Sequence, residues 1–178
     1  MPTTYSYLEA GTPIIWGPSG TGQDKLITLT SLGANAVREG EKSDSLIHAT
    51  KGLPELLEIL LQSAARAAPQ SGSAINLFIG ESDSATAGTD NPGGLTGTDA
   101  LLAHADYVNQ LYFAGSLVMV NHAGTGIQRQ RFIYYPKHAF IIPVVQNAVV
   151  NTSGTAIALS GTAGDHRIKI TPFYRVSQ

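Results

Sequence analysis

The side chains in this sequence that could carry out chemistry are scattered rather than grouped. There is no cysteine, which excludes disulfides, thiolate metal sites and cysteine nucleophiles. No two histidines have the three- or four-residue spacing of a local zinc site; they are His48, His104, His122, His138 and His166. Distant histidines could still converge in the fold, but the spacing favours separate loop or surface positions.

One glycine-rich segment has part of the spacing of a phosphate-binding loop. The glycines of residues 17–22 match, but Gln23 and Asp24 stand where that motif has a lysine and a hydroxyl residue. The aspartate would repel a phosphate, and β-like residues follow instead of a helix whose N-terminus could bind the anion. Ser19 is not in a nucleophile elbow, because Thr21 replaces the second glycine of that motif. We interpret the segment as a turn.

A long polar loop over residues 80–97 collects carboxylates that could bind calcium. Glu81, Asp83 and Asp90 lie in or next to it, and Asp99 follows. Loops of this length are usually functional or disordered. The spacing does not match the twelve-residue calcium loop, and Asp is also an ordinary turn residue. We therefore predict no metal ligand here.

Two pairs of glutamates are the remaining candidates for acid and base catalysis. Glu39 with Glu41, and Glu55 with Glu58, lie in polar surroundings and are interpreted as solvated surface charge. A cupin-type enzyme would need closely spaced histidines together with a carboxylate, which the sequence lacks. The sequence thus predicts no catalytic, cofactor-binding or metal-binding residue, and we expect that the chain is not an enzyme.

The composition favours a protein that assembles with other chains over one that binds nucleic acid or spans a membrane. Only 13% of the 178 residues are charged, about half the usual share, and interface cores are depleted in charge. The net charge is −2 and no run of Lys or Arg occurs, so we predict no nucleic-acid partner. The apolar runs are far shorter than the roughly 20 residues that span a bilayer, and residues 1–10 lack a signal-peptide pattern. We expect a soluble protein made inside the cell.

Glycines and prolines divide the sequence into short β-prone runs. This pattern is typical of an all-β antiparallel sandwich, here with about eight strands. We predict an irregular N-terminal arm with one edge strand over residues 1–24, and a sandwich domain over 25–178. Asp99 is in position to cap one short helix near 100–108. The clearest strands are predicted at 25–30, 75–79, 110–120, 127–135, 139–146, 156–159 and 166–171.

Residues 53–68 fit two patterns. Leucines and alanines recur at three- and four-residue spacing from Leu53 to Ala68, which favours a helix, with Pro54 at its first position. The same segment also reads as a strand that would place apolar side chains on one face and Glu58, Gln62 and Arg66 on the other. Local pattern alone favours the helix.

Several turn-and-strand segments together resemble a known group of proteins. These segments are 67–80 (AAPQSGSAINLFIG), 82–84 and 98–99, 113–117 (FAGSL), 135–140 (YPKHAF), 144–147 (VVQN), 153–157 (SGTAI) and 166–172 (HRIKITP). In this order they resemble the small, jelly-roll-like virion structural proteins of tailed bacteriophages, of the head-decoration or capsid-cement type. The resemblance covers roughly residues 35–175. It implies a long strand before the Ala-Pro-x-x-Gly hairpin, so residues 53–68 are predicted as strand.

The resemblance implies a non-enzymatic function in the virion. We expect a capsid decoration or cement protein that stabilises the phage head through multimeric contacts, as a homo-oligomer, dimer or trimer, with the major capsid protein as partner. The alternative is a carbohydrate- or receptor-binding module of a phage tail. Its candidate region combines Tyr134 and Tyr135 with the loop over residues 80–97, since aromatics beside Asp/Asn loops commonly contact sugars.

Overall fold

The computed structural model describes residues 5–121 and 126–177, so His122 lies outside the described residues. Eleven strands form two sheets that pack face to face. The strands are β1 (Ser6–Ala10), β2 (Ile14–Gly17), β3 (Lys25–Leu26), β4 (Val37–Glu39), β5 (Leu56–Ser63), β6 (Ala74–Ser82), β7 (Ala100–Leu101), β8 (Tyr112–Val118), β9 (Gln128–Tyr134), β10 (Phe140–Ala148) and β11 (Arg167–Ser177). Short 3-10 helices lie at Pro92–Gly94, Ala105–Gln110 and Ala163–Asp165.

The strand order is that of a jelly roll. In the first sheet, sheet A, the order is β3-β2-β11-β5-β9, and in the second, sheet B, it is β7-β4-β10-β6-β8. The chain crosses between the sheets from β2 to β4 to β5 to β6 and again from β8 to β9 to β10 to β11, which gives the double Greek key of this architecture. Within these sheets β2–β3 is the parallel pair and the other pairs are antiparallel. The predicted jelly-roll-like all-β sandwich is confirmed.

The ambiguous segment is a strand, as the resemblance implied. Along β5 every second side chain is buried, with Leu57, Ile59 and Leu61 fully inaccessible. β5 pairs with β11 on one side and with β9 on the other, so it is a central strand of sheet A. Two hydrogen-bonded neighbours and a buried face outweigh the weak helical preference of the leucine-rich sequence.

The predicted helix near 100–108 is largely wrong. Residues Ala100–Leu101 form strand β7, which pairs with β4, and a 3-10 helix follows at Ala105–Gln110. Asp99 does not cap a helix, because its carboxylate accepts hydrogen bonds from Thr28 and Arg38. These long-range partners, 71 and 61 residues away along the sequence, are invisible to a local capping rule.

From residue 5 onward, the predicted irregular arm contains two strands, β1 and β2. β2 pairs with residues 168–170 of β11 and β1 pairs with residues 173–177 of the same strand, so both belong to sheet A. The predicted edge strand corresponds to β2, but β3 adds to it on the outer side. Trp16 anchors the segment, since its side chain is fully buried and its Nε1 donates to the Glu41 carbonyl at 2.7 Å.

The sandwich has two cores. The main one lies between the sheets and contains Trp16, Ile27, Leu29, Leu57, Ile59, Leu61, Ile75, Leu77, Ile79, Leu117, Met119, Ile141, Val145, Ile168 and Ile170, among others. A smaller one lies on the outer face of sheet B and contains Val37, Leu95, Val108, Ile142 and Val144. Residues 83–111 fold over part of that outer face and close the smaller core. No helix among the described residues is long and apolar enough to cross a membrane.

Candidate assembly surface and buried polar clusters

The glycine-rich segment at residues 17–22 is a structural turn. Thr21 Oγ1 donates to the Pro18 carbonyl at 2.6 Å, and the Asp24 carboxylate accepts from the Ile15 amide at 2.9 Å. The aspartate therefore ties the end of the turn back to β2. The two-residue strand β3 follows, which is only the beginning of the strand predicted at 25–30.

The four described histidines are dispersed. His48 packs against the Tyr174 ring, His104 against the Tyr107 ring, and His138 pairs with Asp83 at 2.9 Å. His166, by contrast, is buried and not on the surface as the sequence suggested. Within the described ranges no three His, Asp or Glu side chains converge where they could hold a metal ion.

The carboxylates of the polar loop turn to separate partners. Asp83 accepts a hydrogen bond from His138, and that contact holds the pKa of the Asp83 carboxyl below its usual value. Burial alone would raise the pKa of Asp99, but hydrogen bonds from Arg38 and Thr28 outweigh it and lower that pKa. Glu81 Oε1 accepts from the Lys137 amide at 2.8 Å. These three carboxylates therefore have separate hydrogen-bond partners.

A lysine occupies the centre of the loop instead. Lys42 is 6% exposed, and its ammonium lies within hydrogen-bond distance of oxygens from four loop residues, which share its three N–H donors: Ser82 Oγ (3.0 Å) and the carbonyls of Ser84 (2.9 Å), Thr86 (2.7 Å) and Thr89 (3.0 Å). Burial lowers the pKa of Lys42, while the negative charge of Asp90 opposes that shift. An ammonium group in a cage of carbonyl oxygens performs the organising role that a bound cation has in other loops. Its position in the sequence, in Gly-Glu-Lys-Ser, carries no signal of this role.

The buried Glu39 side chain holds the other end of the loop. Its burial contradicts the prediction that Glu39 is a solvated surface residue, because the residue is 1% exposed. Its carboxylate accepts hydrogen bonds from Thr96 N and Oγ1 (2.9 and 2.7 Å) and from Gly97 N (3.1 Å). Glu41 likewise serves the fold by accepting from the Leu26 amide at 2.8 Å. Lys42 and Glu39 together hold residues 82–97 over sheet B.

The other glutamate pair lies at the surface, as predicted. Glu55 pairs with Arg175 at 2.9 Å, and Glu58 pairs with Arg131 across neighbouring strands. Each glutamate therefore makes an ion pair with its own arginine.

A serine–histidine pair that the sequence did not reveal lies inside the sandwich. Ser63 Oγ is 2.8 Å from His166 Nδ1, and His166 Nε2 is 2.9 Å from the Ser160 carbonyl. Because a carbonyl can only accept, Nε2 donates and Nδ1 accepts the serine proton. The pair has the contact of a nucleophile and its base, but Ser63 is fully buried and faces no substrate. Its role is to satisfy polar groups in the core.

The outer face of sheet B that the loop leaves open is uncharged and partly apolar. We call it the assembly surface; strand register and alternation place on it Asn76, Phe78, Phe113, Ser116, Val118 and Gln146. Phe113 is 60% and Val118 53% exposed. Between them, hydrogen bonds link Ser116 to Asn76 (2.7 Å) and Asn76 to Gln146 (3.0 Å). No side chain in this set carries a charge.

The assembly surface reaches the edge of the sheet. β8 is the outermost strand of sheet B, and the segment from Leu111 to Val120 contains no charged residue. Tyr112 and Val120, near the two ends of this segment, are 46% and 59% exposed. Soluble monomers usually protect such an edge with charge, proline or a covering segment. An uncharged edge beside an apolar face is typical of a surface that is covered by another chain.

The two tyrosines of the predicted sugar site point to different environments. Tyr134 is half-buried beside the Glu81 carboxylate, and burial together with that charge raises the pKa of its phenol well above the usual value. Tyr135 is 67% exposed and lines a cavity of about 310 Å³ with Ser6, Tyr7, Leu8, Glu55, Leu56 and Arg175. Tyr134 ends β9 beside Glu81, whereas Tyr135 follows the strand and lines this cavity, so the two rings do not form one platform.

Comparison with known proteins adds no family. No protein-family model matches the chain, and a search of curated proteins finds no match.

Proposed function

We propose that this protein is a non-enzymatic structural protein of a tailed-phage virion, a capsid decoration or cement protein that works as a homo-oligomer bound to the major capsid protein. The observation that carries the proposal is the assembly surface, an uncharged, partly apolar face that continues to the edge strand β8. The jelly-roll architecture supports it by analogy, because many viral capsid proteins share that architecture. Such a protein would be made in the host cytoplasm and located in the virion.

A second copy of the chain is the occupant that the charge pattern favours. A two-fold symmetric dimer brings the same surface of each copy together, so a surface of one charge would repel itself. The assembly surface has no charge to repel, and burying Phe113 and Val118 removes apolar area from water. Because each contact is repeated around a capsid, many weak contacts together give a large total binding free energy.

Oligomer formation provides the test. The wild-type chain is expected to sediment as a dimer or trimer, and Phe113→Lys to weaken self-association about tenfold or more, because a lysine would be buried without a partner. Ile47→Lys is the matched control, since Ile47 is similarly exposed (54%) but lies outside the assembly surface. Analytical ultracentrifugation over a concentration series measures both. A wild-type chain that stays monomeric at high concentration would overturn the proposed assembly.

Binding to capsids tests the second half of the proposal. Wild-type protein is expected to co-sediment with assembled heads of the phage that encodes it and to raise their resistance to heat. Oligomers that form normally but neither bind nor stabilise heads would leave the assembly surface intact and refute the cement function.

A cleft beside the polar loop favours a second candidate, the carbohydrate-binding module of a phage tail. The cleft is about 410 Å³ and is lined by Glu81, Pro92, Asn109, Gln110, Leu111, Tyr112 and His138. Glu81 is 6% exposed, and its Oε2 has no hydrogen-bond partner in good geometry, although the Tyr134 phenol lies nearby. A buried carboxylate oxygen, two amides and a half-exposed tyrosine ring suit the hydroxyls and the apolar face of a sugar.

Glycan-array binding separates this candidate from the first. We expect Tyr112→Ala to abolish any glycan signal, because it removes the ring that would stack on the sugar. Tyr5→Ala, which changes an exposed tyrosine just before β1 of the other sheet, should retain the signal. An array without a signal for the wild-type protein would refute the sugar site.

A further inference from the structure

The outer face of sheet A gathers basic residues that are far apart in the sequence. The register aligns Arg167, Gln62 and Arg129 in one row across β11, β5 and β9, and Lys169, Leu60 and Arg131 in the next. The opposite faces of these strands carry the buried Ile168, Leu61 and Ile59, so these two rows point to solvent. We call the set of Arg129, Arg131, Arg167 and Lys169 the basic face.

The charges on this face are poorly balanced. Among the described residues of the three strands, Glu58 is the carboxylate on this side, and it pairs with Arg131. Arg129 donates to the neutral Gln62 side chain at 2.8 Å. Arg167 and Lys169 make no ion pair with any described residue. Four cations and one carboxylate give the face a charge of +3 in a chain whose net charge is −2.

The geometry forms a regular grid. Successive outward residues of a strand are about 6.7 Å apart, and β9 and β11 are separated by two strand spacings, about 10 Å. Between the cationic columns of β9 and β11, strand β5 places the half-buried Leu60, while the exposed Ile133 follows Arg131 in the β9 column. Arginine around an apolar centre is the composition of a protein–protein interface.

We propose that the basic face docks an acidic polypeptide surface, with carboxylates on alternate residues of an extended strand. Such carboxylates repeat at the same spacing of about 6.7 Å as the two basic rows, and arginine binds carboxylates bidentately. Nucleic acid fits less well, because none of the outward residues in these rows is aromatic and Glu58 would face a phosphate. The basic face is on the opposite sheet from the assembly surface, so the inference goes beyond the proposed function and does not depend on self-association.

The test uses fluorescence anisotropy with two labelled probes, a peptide of alternating Glu and Thr and a dT oligonucleotide of equal charge. The wild-type protein is expected to bind the peptide more tightly than the oligonucleotide, with an affinity that falls as salt rises. Arg129→Glu/Arg167→Glu should weaken peptide binding by about tenfold or more. Lys137→Glu makes the same kind of charge change at an exposed lysine near the other sheet and should retain binding.

Circular dichroism checks that each variant remains folded, and Arg129→Gln/Arg167→Gln gives a milder change if charge reversal disturbs the sheet. Three results would overturn the inference: no peptide binding by the wild-type protein, tighter binding of the oligonucleotide, or equal peptide binding by the wild type and by a folded double variant. Self-association is measured on the same samples, so a failure here is distinct from a failure of the assembly surface.

Discussion

Replacing Lys42 by methionine is expected to lower the free energy of unfolding by about 2–4 kcal/mol, roughly 5–15 °C in Tm for a chain of this size. The substitution keeps the length of the side chain but removes the ammonium that bonds Ser82, Ser84, Thr86 and Thr89. Their oxygens would lose a charged donor, and hydrogen bonds to charged groups are among the stronger ones in proteins. Relief of the ammonium's own desolvation offsets part of the loss.

Lys42→Met should loosen the loop over residues 82–97 in addition to lowering the stability of the whole fold. Hydrogen exchange in residues 82–97 is expected to accelerate more than in the central strands, because Glu39 would then hold the loop at one end only. Lys25→Met is the control, since Lys25 pairs with the exposed Asp44 and such a surface pair contributes about 0–1 kcal/mol. Equal destabilisation by the two variants, or unchanged exchange in the loop of Lys42→Met, would show that the ammonium does not organise the loop.

Acidification is expected to destabilise the protein first through His166. Burial lowers the pKa of His166 below its ordinary 6.5, against the smaller opposing influences of the Ser160 carbonyl and Asp165. The unfolded chain therefore binds a proton more readily than the folded one. The contribution of this neutral histidine to stability is complete above about pH 6.5 and declines as the pH falls below that value towards the folded-state pKa.

A separate decline is expected in stronger acid. Asp99, whose pKa is lowered from the ordinary 3.8 by its Arg38 and Thr28 hydrogen bonds, contributes stability above that pH and loses it below. The two pH windows do not coincide, so a profile of Tm against pH should show a histidine-dependent decline below about 6.5 and a carboxylate-dependent one below about 4.

His166→Gln isolates the first decline. The variant should be about 1–3 kcal/mol less stable at neutral pH, because it disturbs two buried hydrogen bonds, and its Tm should be flat where that of the wild type falls. His104→Gln, at an exposed histidine, should retain the wild-type profile. Differential scanning calorimetry from pH 8 to 3 provides the comparison. A decline below pH 6.5 that persists unchanged in His166→Gln would refute this assignment.

The two proposed surfaces lie on opposite sheets of the sandwich and differ in charge. Sheet B presents an uncharged face with Phe113 and Val118, while sheet A presents four cations around Leu60. Like surfaces can associate across the uncharged side, whereas the basic side repels its own copies and attracts an acidic partner. A module with this division suits simultaneous contact with identical neighbours and with a different protein.

Periodicity in the sequence was sufficient for most of the long strands, because strands such as β5 and β11 bury one face. The alternation of Arg167 and Lys169 with Ile168 and Ile170 predicted β11 directly, and the uncharged run in 110–120 predicted β8. Residues 53–68 were different, since their leucines satisfy both helical and strand spacing. Pairing with β9 and β11, which lie far along the chain, decides for the strand.

By itself the sequence determined the all-β class, the alternation that fills the main core, and the absence of cysteine chemistry. Only the tertiary structure decided which polar groups are buried, because Lys42, Glu39 and His166 have the partners Ser82, Thr96 and Ser63, which lie 40, 57 and 103 residues away along the chain. The same holds for the basic face: Arg129 and Arg167 become neighbours only when β5 lies between their strands. Strand periodicity is a local property of the backbone, whereas register between distant strands is set by the packing of the whole core.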